Sequence, residues 1–250
     1  MHKESSMICR SNGASLLRAA LVMLTFVGFA IPWVTTASER EGTMGSKPCE
    51  YDVVVIGASY AAGWKVENLA GLTFVNKGVG GQESNQMLAR FERDVVALKP
   101  RYVIIWGFIN DIFRAERADL AVRVAGTKND LKAMVELARN SGIKPILATE
   151  VTTAEPAGIM NSLRGFIGRL RGKQSYARFV SNEVTVVNDW MRSYASEHAI
   201  PLLDIERLFA DEDGLRKRDY TAEDGSHITE AGYRTLTGYA ERHLPELIAR

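Results

Sequence analysis

A three-layer α/β/α sandwich around a parallel sheet is the fold that this 250-residue sequence predicts, on two observations. Short and almost wholly apolar runs recur at residues 52–56, 72–75, 102–106, 145–149 and 201–203, the first of them Asp52-Val53-Val54-Val55-Ile56. Strands without polar alternation are buried on both faces, as in a parallel sheet covered by helices above and below. These runs alternate with segments that carry apolar side chains at helical spacing: Leu88, Phe91, Val95 and Leu98; Leu131, Met134, Val135 and Ala138; Val187, Trp190, Met191 and Tyr194. Repeated strand-to-helix alternation requires right-handed crossovers and two helical layers. With 46% hydrophobic and 24% charged residues the chain has the composition of a globular protein with one core.

Ahead of the first strand the chain reads differently. Lys3, Arg10 and Arg18 precede an apolar run over residues 19–34, which ends in Thr35-Thr36-Ala37-Ser38. That layout predicts a secretory signal over residues 1–37, cleaved after Ala37. An apolar run of about 16 residues is shorter than the ~20 of a spanning helix, although an uncleaved membrane anchor shares the same layout. Either reading places the domain outside the cytoplasm, secreted, periplasmic or on the cell envelope, with membrane association if the segment is retained. Residues 38–50 are polar, contain Gly and Pro, and read as a linker to a domain spanning residues 51–250. Cys9 lies in the signal and Cys49 in the linker, so no internal disulfide is expected. A net charge of +1 without a Lys/Arg run gives a nucleic-acid partner no support.

In a parallel sheet functional groups gather in the loops beyond the carboxyl ends of the strands. The first strand runs into Gly57-Ala58-Ser59-Tyr60-Ala61-Ala62-Gly63, which puts a hydroxyl in a tight turn where a helix begins and free N–H groups point outward. The plain structural role for Ser59 is an N-cap. The second strand runs into Asn76-Lys77-Gly78-Val79-Gly80-Gly81-Gln82, a sharp turn whose backbone can approach a ligand. The fingerprint of a dinucleotide loop fails here. Ser59 and Ala62 stand where the second and third glycines belong, and Asn76 replaces the ribose-binding acid.

The third strand leads to Gly107-Phe108-Ile109-Asn110-Asp111, where Asn110 can donate a hydrogen bond into a site or simply form an Asx-turn, and Asp111 can serve as a local cap. Residues 151–180, between the fourth strand and the Val187 helix, are longer than such a link requires. Their stripe of Ile159, Leu163, Phe166, Ile167 and Leu170, beside Arg164, Arg169, Arg171, Lys173 and Arg178, reads as a lid or rim over the site, as a packed extra helix, or as a contact for an anionic membrane surface. Near the C-terminus Asp224-Gly225-Ser226-His227 precedes a final helix with Thr229 as N-cap. A carboxylate three residues before an imidazole, across a glycine turn, can reach Nδ1, set the tautomer and stabilise the imidazolium. His198 and His243 lie in helical patterns without such partners.

Together the blocks Gly57-Ala58-Ser59-Tyr60, residues 76–81, Gly107-Phe108-Ile109-Asn110-Asp111 and Asp224-Gly225-Ser226-His227 resemble the GDSL/SGNH hydrolase family in kind and in order. The resemblance implies a flavodoxin-like five-stranded parallel sheet of order 2-1-3-4-5, the SGNH hydrolase fold. It implies Ser59 as nucleophile, His227 as general base, Asp224 as the group that orients it, and an oxyanion hole from the Ser59 N–H, the Gly81 N–H and the Asn110 side chain. It implies ester hydrolysis through an acyl-enzyme, on O-acyl glycans or small lipid esters, with no metal or organic cofactor. An O-acyltransferase using the same triad and a catalytically silent glycan-binding module are the alternatives. Two positions depart from the family pattern. Ala58 replaces the usual Asp, and Phe108 is a bulky residue expected to narrow the acyl or alcohol pocket.

Overall fold

The computed structural model of the chain describes residues 51–155 and 175–249. The apolar runs become strands. β1 (Val53–Gly57) is buried along its whole length, pairs in parallel with β3 (Leu72–Gly78) on one side and with β4 (Tyr102–Trp106) on the other. β5 (Lys144–Ala148) and β6 (Leu202–Leu203) continue the sheet beyond β4, again in parallel. Every residue of β1 and of β4 is buried, so both faces of the sheet centre are covered, as the unbroken apolar runs require.

The described sheet has six strands in the order β2-β3-β1-β4-β5-β6, and its parallel part reproduces the expected 2-1-3-4-5 connectivity. The additional strand is β2 (Asn68–Leu69), which runs antiparallel to the start of β3. Ala70 and Gly71 close this hairpin with φ of 50° and 76°, the left-handed pair that a two-residue turn demands. Two residues of strand leave no periodicity in the sequence, which is why this edge was not expected.

The register decides where the loops emerge. Gly57 lies level with Gly78 on one neighbour and with Trp106 on the other, so β1, β3 and β4 deliver their following turns to one edge of the sheet. The helix α1 (Ser59–Gly63) then folds back directly over that edge. A Cβ on Gly57 would run into the Trp106 carbonyl and Ala61, and one on Gly78 would run into the Ala62 backbone. Asn76 secures the far end of α1 by donating to the Ala61 and Trp64 carbonyls at 2.6 and 2.7 Å while accepting from the Gly78 N–H at 2.8 Å. One side chain thus supplies the partners that helix-end carbonyls otherwise lack.

The periodicity of Leu88, Phe91, Val95 and Leu98 predicts one helix, but the segment is divided into α2 (Ser84–Ala89), α3 (Phe91–Asp94) and a 3-10 turn at Val96–Leu98. The first division falls at Arg90, whose buried guanidinium turns inward to donate to the Gly57 carbonyl at 3.0 Å, the Lys77 carbonyl at 2.7 Å and the Gln82 side chain at 2.6 Å. Satisfying three acceptors at the sheet edge outweighs the loss of one helical turn's continuity.

The short helix α4 (Ile109–Phe113) follows β4. The longer helices are α5 (Leu120–Asn140), α6 (Tyr176–Glu197) and, after the short α7 (Ile205–Phe209), α8 (Glu230–Ile248). Thr229 caps α8 by accepting from the Gly232 N–H at 3.1 Å, as the sequence predicts. The close approach at β1 makes one prediction. Gly57→Ala should destabilise the protein by at least about 2 kcal/mol, the cost of overpacking at a site walled by backbone, as read from urea denaturation. A variant of wild-type stability would show that the edge can open to admit a methyl group.

Candidate active site

Ser59 is the first residue of α1, and the N-cap position belongs to Ala58, with no side-chain capping bond. The plain capping role is therefore not the one Ser59 plays. With only five residues the helix contributes little macrodipole, and what it offers are the unpaired N–H groups of its first turn. Where the family pattern has an Asp, Ala58 is buried, and its backbone is approached so closely by Gly107 that a Cβ there would lie 2.8 Å from the Ala58 nitrogen. The turns after β1 and β4 are thus held together by backbone contact.

Asp224 and His227 meet as expected. Asp224 Oδ2 lies 2.6 Å from His227 Nδ1, while Oδ1 accepts the backbone N–H of Ser226 at 2.8 Å and of His227 at 2.9 Å. The His227 N–H, then the imidazole and the Ser226 N–H, hold the Asp224 carboxyl down to about 2. Both side chains are about half exposed, so the other ring nitrogen remains open to a reacting group.

The link between this turn and Ser59 is the next residue, Tyr60. Its buried hydroxyl donates to the Ser226 carbonyl at 2.8 Å, and its ring stands edge-on to the imidazole of His227 with centroids 6.3 Å apart. Burial pushes the Tyr60 hydroxyl up to about 12, which keeps it a donor. Tyr233 in α8 donates to the Tyr60 carbonyl at 2.9 Å and fixes the helix from the other side. No hydrogen bond joins Ser59 Oγ directly to His227 in this arrangement.

The remaining predicted donors lie on the two neighbouring turns. Gly81 has φ of 77°, the sharp turn expected from the glycine cluster. Asn110 Nδ2 donates one of its two hydrogens to the Gln82 carbonyl at 2.8 Å, which ties the β4 turn to the β3 turn and leaves the second hydrogen for another acceptor. Asp111 is buried and is no site residue. It accepts from the Ser84 N–H and hydroxyl at 2.9 and 2.6 Å and from the Thr127 hydroxyl at 3.0 Å, bracing α2 and α5 against the β4 turn. Phe108, expected to narrow the pocket, is instead fully enclosed in the core, where it lines no open surface.

Of the 151–180 segment, Val151, Thr152, Thr153 and Val180 are buried, and Ser175 caps α6 by accepting from the Arg178 N–H at 3.1 Å. The Leu163 and Phe166 stripe falls outside the described residues, as do residues 1–50 with the expected signal, linker and both cysteines. Among the described residues no group of three His, Cys, Asp or Glu side chains is disposed to hold a metal ion.

Sequence reasoning missed Tyr60, Arg90, Glu150 and Arg216. Glu150 carried a signal, a carboxylate directly after the apolar run 145–149, at a strand's carboxyl end. It is completely buried, and desolvation pushes it from an ordinary 4.5 up to about 7 against the opposing pull of the Phe108, Val151 and Ile109 N–H groups and of Arg216. The folded protein therefore keeps a proton that the unfolded chain releases between about pH 4.5 and 7, and stability falls as pH rises through that window. Glu150→Gln removes this titration. Its melting temperature relative to wild type should rise between pH 5 and 8, and a difference that stays constant across that range would refute the raised value.

Residues 46–235 match the sequence profile of the GDSL-like Lipase/Acylhydrolase family. The chain is 27% identical over 183 residues to an uncharacterized lipoprotein, YqeF, of Bacillus subtilis (strain 168), covering 69% of this chain and 73% of that one. It is 37% identical over 92 residues to an acetylxylan esterase of Geobacillus stearothermophilus, covering 36% of this chain and 40% of that enzyme. Among solved structures, a GDSL-like lipase from Bacteroides thetaiotaomicron superposes with a TM-score of 0.57 at 23% identity, over 78% of this chain and 87% of the other. An acetylxylan esterase structure from Geobacillus stearothermophilus superposes at 0.56 with 20% identity, over 78% and 94%, and both likenesses speak for the fold. With the profile spanning most of the sequence and the fold shared, the chain belongs to the GDSL-like lipase/acylhydrolase family and is a serine ester hydrolase.

Proposed function

We propose that the enzyme cleaves carboxylic esters through an acyl-enzyme, with Ser59 as nucleophile, His227 as general base and Asp224 orienting the imidazole. The observation that carries this reading is the Asp224–His227 pair in a turn pinned by Tyr60, the residue adjoining Ser59. His227 Nε2 takes the Ser59 proton as Oγ attacks the carbonyl carbon. The oxyanion that forms is met by the Ser59 and Gly81 backbone N–H groups and the free Asn110 amide hydrogen. Collapse expels the alcohol, which receives the proton from His227, and water deprotonated by the same nitrogen then releases the acid and restores Ser59. Asp224, kept ionised by its three donors, stabilises the imidazolium in both halves of the reaction.

The substrate class that fits best is an O-acyl group on a glycan, in line with the acetylxylan esterase among the relatives, with small lipid esters as the competing class. The N-terminal charge-then-apolar layout and the lipoprotein relative support a place in the cell envelope or outside the cell.

A fluorophosphonate should modify Ser59, and Ser59→Ala should abolish both labelling and esterase activity; mapping of the label to another residue with Ser59 free would overturn the assignment. Asn110→Ala should keep its fold and lose about 10²–10³ in kcat with little change in KM, the usual effect of removing one oxyanion donor. Wild-type kcat in that variant would reduce Asn110 to the tie between two turns.

A further inference from the structure

Two buried ionisable side chains, Glu150 and Arg216, lie between the turns of the proposed site and make no bond to a reacting group. Glu150 follows β5. Its Oε2 accepts the Phe108 N–H at 2.8 Å and the Ile109 N–H at 3.3 Å, and its Oε1 accepts the Val151 N–H at 3.1 Å. Its own backbone is gripped by the Asn188 side chain, which accepts from the Glu150 N–H and donates to its carbonyl, each at 2.8 Å. The carboxyl is therefore a fixed anchor, and the two N–H groups it holds belong to the residues immediately before Asn110.

Arg216 is 1% exposed. Its Nη2 donates to the Ser226 carbonyl at 2.6 Å and to the Gly225 carbonyl at 3.3 Å, and its guanidinium carbon lies 5.5 Å from the centre of the Tyr60 ring. The Arg216 backbone N–H donates to the Thr153 carbonyl at 3.0 Å, so both charged residues hang from the same stretch of chain, and they attract one another through the interior. Arg216 Nε and Nη1 have no hydrogen-bond partner among the described residues. A buried cation with unmet donors is a poor choice for stability, as is a buried carboxyl whose pKa has to rise to about 7, and apolar side chains of similar volume would serve the core better. What the pair does serve is the placement of two turns.

We propose that Glu150 and Arg216 are positioning residues for ester hydrolysis: the carboxyl clamps the turn that presents Asn110, and the guanidinium clamps the turn that presents Asp224 and His227. The proposal rests on the catalytic reading of Ser59, His227 and Asn110 given above. Neither residue touches the reacting atoms. Each acts on backbone next to a group that does, where a displacement of an ångström costs about 10²-fold in rate.

The test uses the full chain with Glu150→Leu, Glu150→Gln and Arg216→Met, assayed with p-nitrophenyl acetate well below each melting temperature, together with residue-resolved amide hydrogen exchange. Glu150→Leu, which removes every acceptor, should lower kcat by about 10²-fold with KM within about twofold, and should speed exchange at Phe108 and Ile109 by about tenfold or more while the β1 amides stay protected. Glu150→Gln keeps one acceptor oxygen and should recover part of the lost kcat. Arg216→Met should lower kcat to a similar degree and speed exchange at residues 225–227. Should the Leu variant not fold, the Gln and Met variants carry the same comparison. A lowered melting temperature with wild-type kcat and wild-type exchange at the turns overturns the proposal, since that is the signature of packing alone. Hydrolysis lost in Ser59→Ala but intact in the Glu150 and Arg216 variants also overturns it and leaves the catalytic reading standing. Hydrolysis that survives in Ser59→Ala overturns the catalytic reading, and with it the roles assigned to both residues.

Discussion

The closeness of the backbone at the carboxyl edge of β1 is the constraint on which the rest of this site depends. At Gly57 the strand lies level with both neighbours, and α1 folds back over it with no space for a side chain. A helix set even one methyl group farther out would carry Ser59 away from the turns after β3 and β4. Because three parallel strands end at the same level, their loops converge without any dedicated scaffold, and Ser59, Gly81 and Asn110 fall on three neighbouring turns rather than on one long loop. Parallel pairing thus does the gathering, and glycine permits the close fit.

A sheet edge covered in this way creates a difficulty of its own, because strand-end carbonyls and turn N–H groups lose water. The chain answers with side chains that reach in. Arg90 takes the Gly57 and Lys77 carbonyls, Asn76 takes those of Ala61 and Trp64, and Glu150 takes the N–H groups of Phe108 and Ile109. Two carboxyls in the same region show how far environment governs ionisation. Asp224, half exposed and surrounded by donors, is held at about 2, whereas Glu150, also hydrogen bonded but wholly desolvated, rises to about 7. Donors of similar number act on both groups, so it is the loss of water that separates them.

β1, β4 and β5 were legible because burial leaves an unmistakable mark, an unbroken apolar run, whereas β3 and β6 were read from shorter apolar stretches. The Asp224-Gly225-Ser226-His227 turn was legible for a different reason, since its pairing is local and spans three residues. Ser59, Gly81 and Asn110 could be placed at strand ends, but their mutual support could not be read. Tyr60 meets Ser226 across 166 residues, and Glu150 meets Phe108 across 42, distances over which no spacing rule operates. Arg90 was hidden by its own helical context, where Leu88, Phe91 and Val95 gave a periodicity that a single inward-turning guanidinium interrupts. Phe108 misled because its neighbours in sequence are functional, while its side chain belongs to the core.

The bond between the Tyr60 hydroxyl and the Ser226 carbonyl joins the first helix of the sheet to the last turn before the final helix. Contacts of such separation form late, after the intervening chain has closed its loops and the entropy of doing so has been met. During synthesis Tyr60 emerges long before the turn that carries Ser226 and His227, so this bond waits on the C-terminal part of the chain. The turn that carries Ser59 thus gains one of its fastenings only when the segment ahead of the C-terminal helix has docked, so a part of the chain made early is fixed in place late.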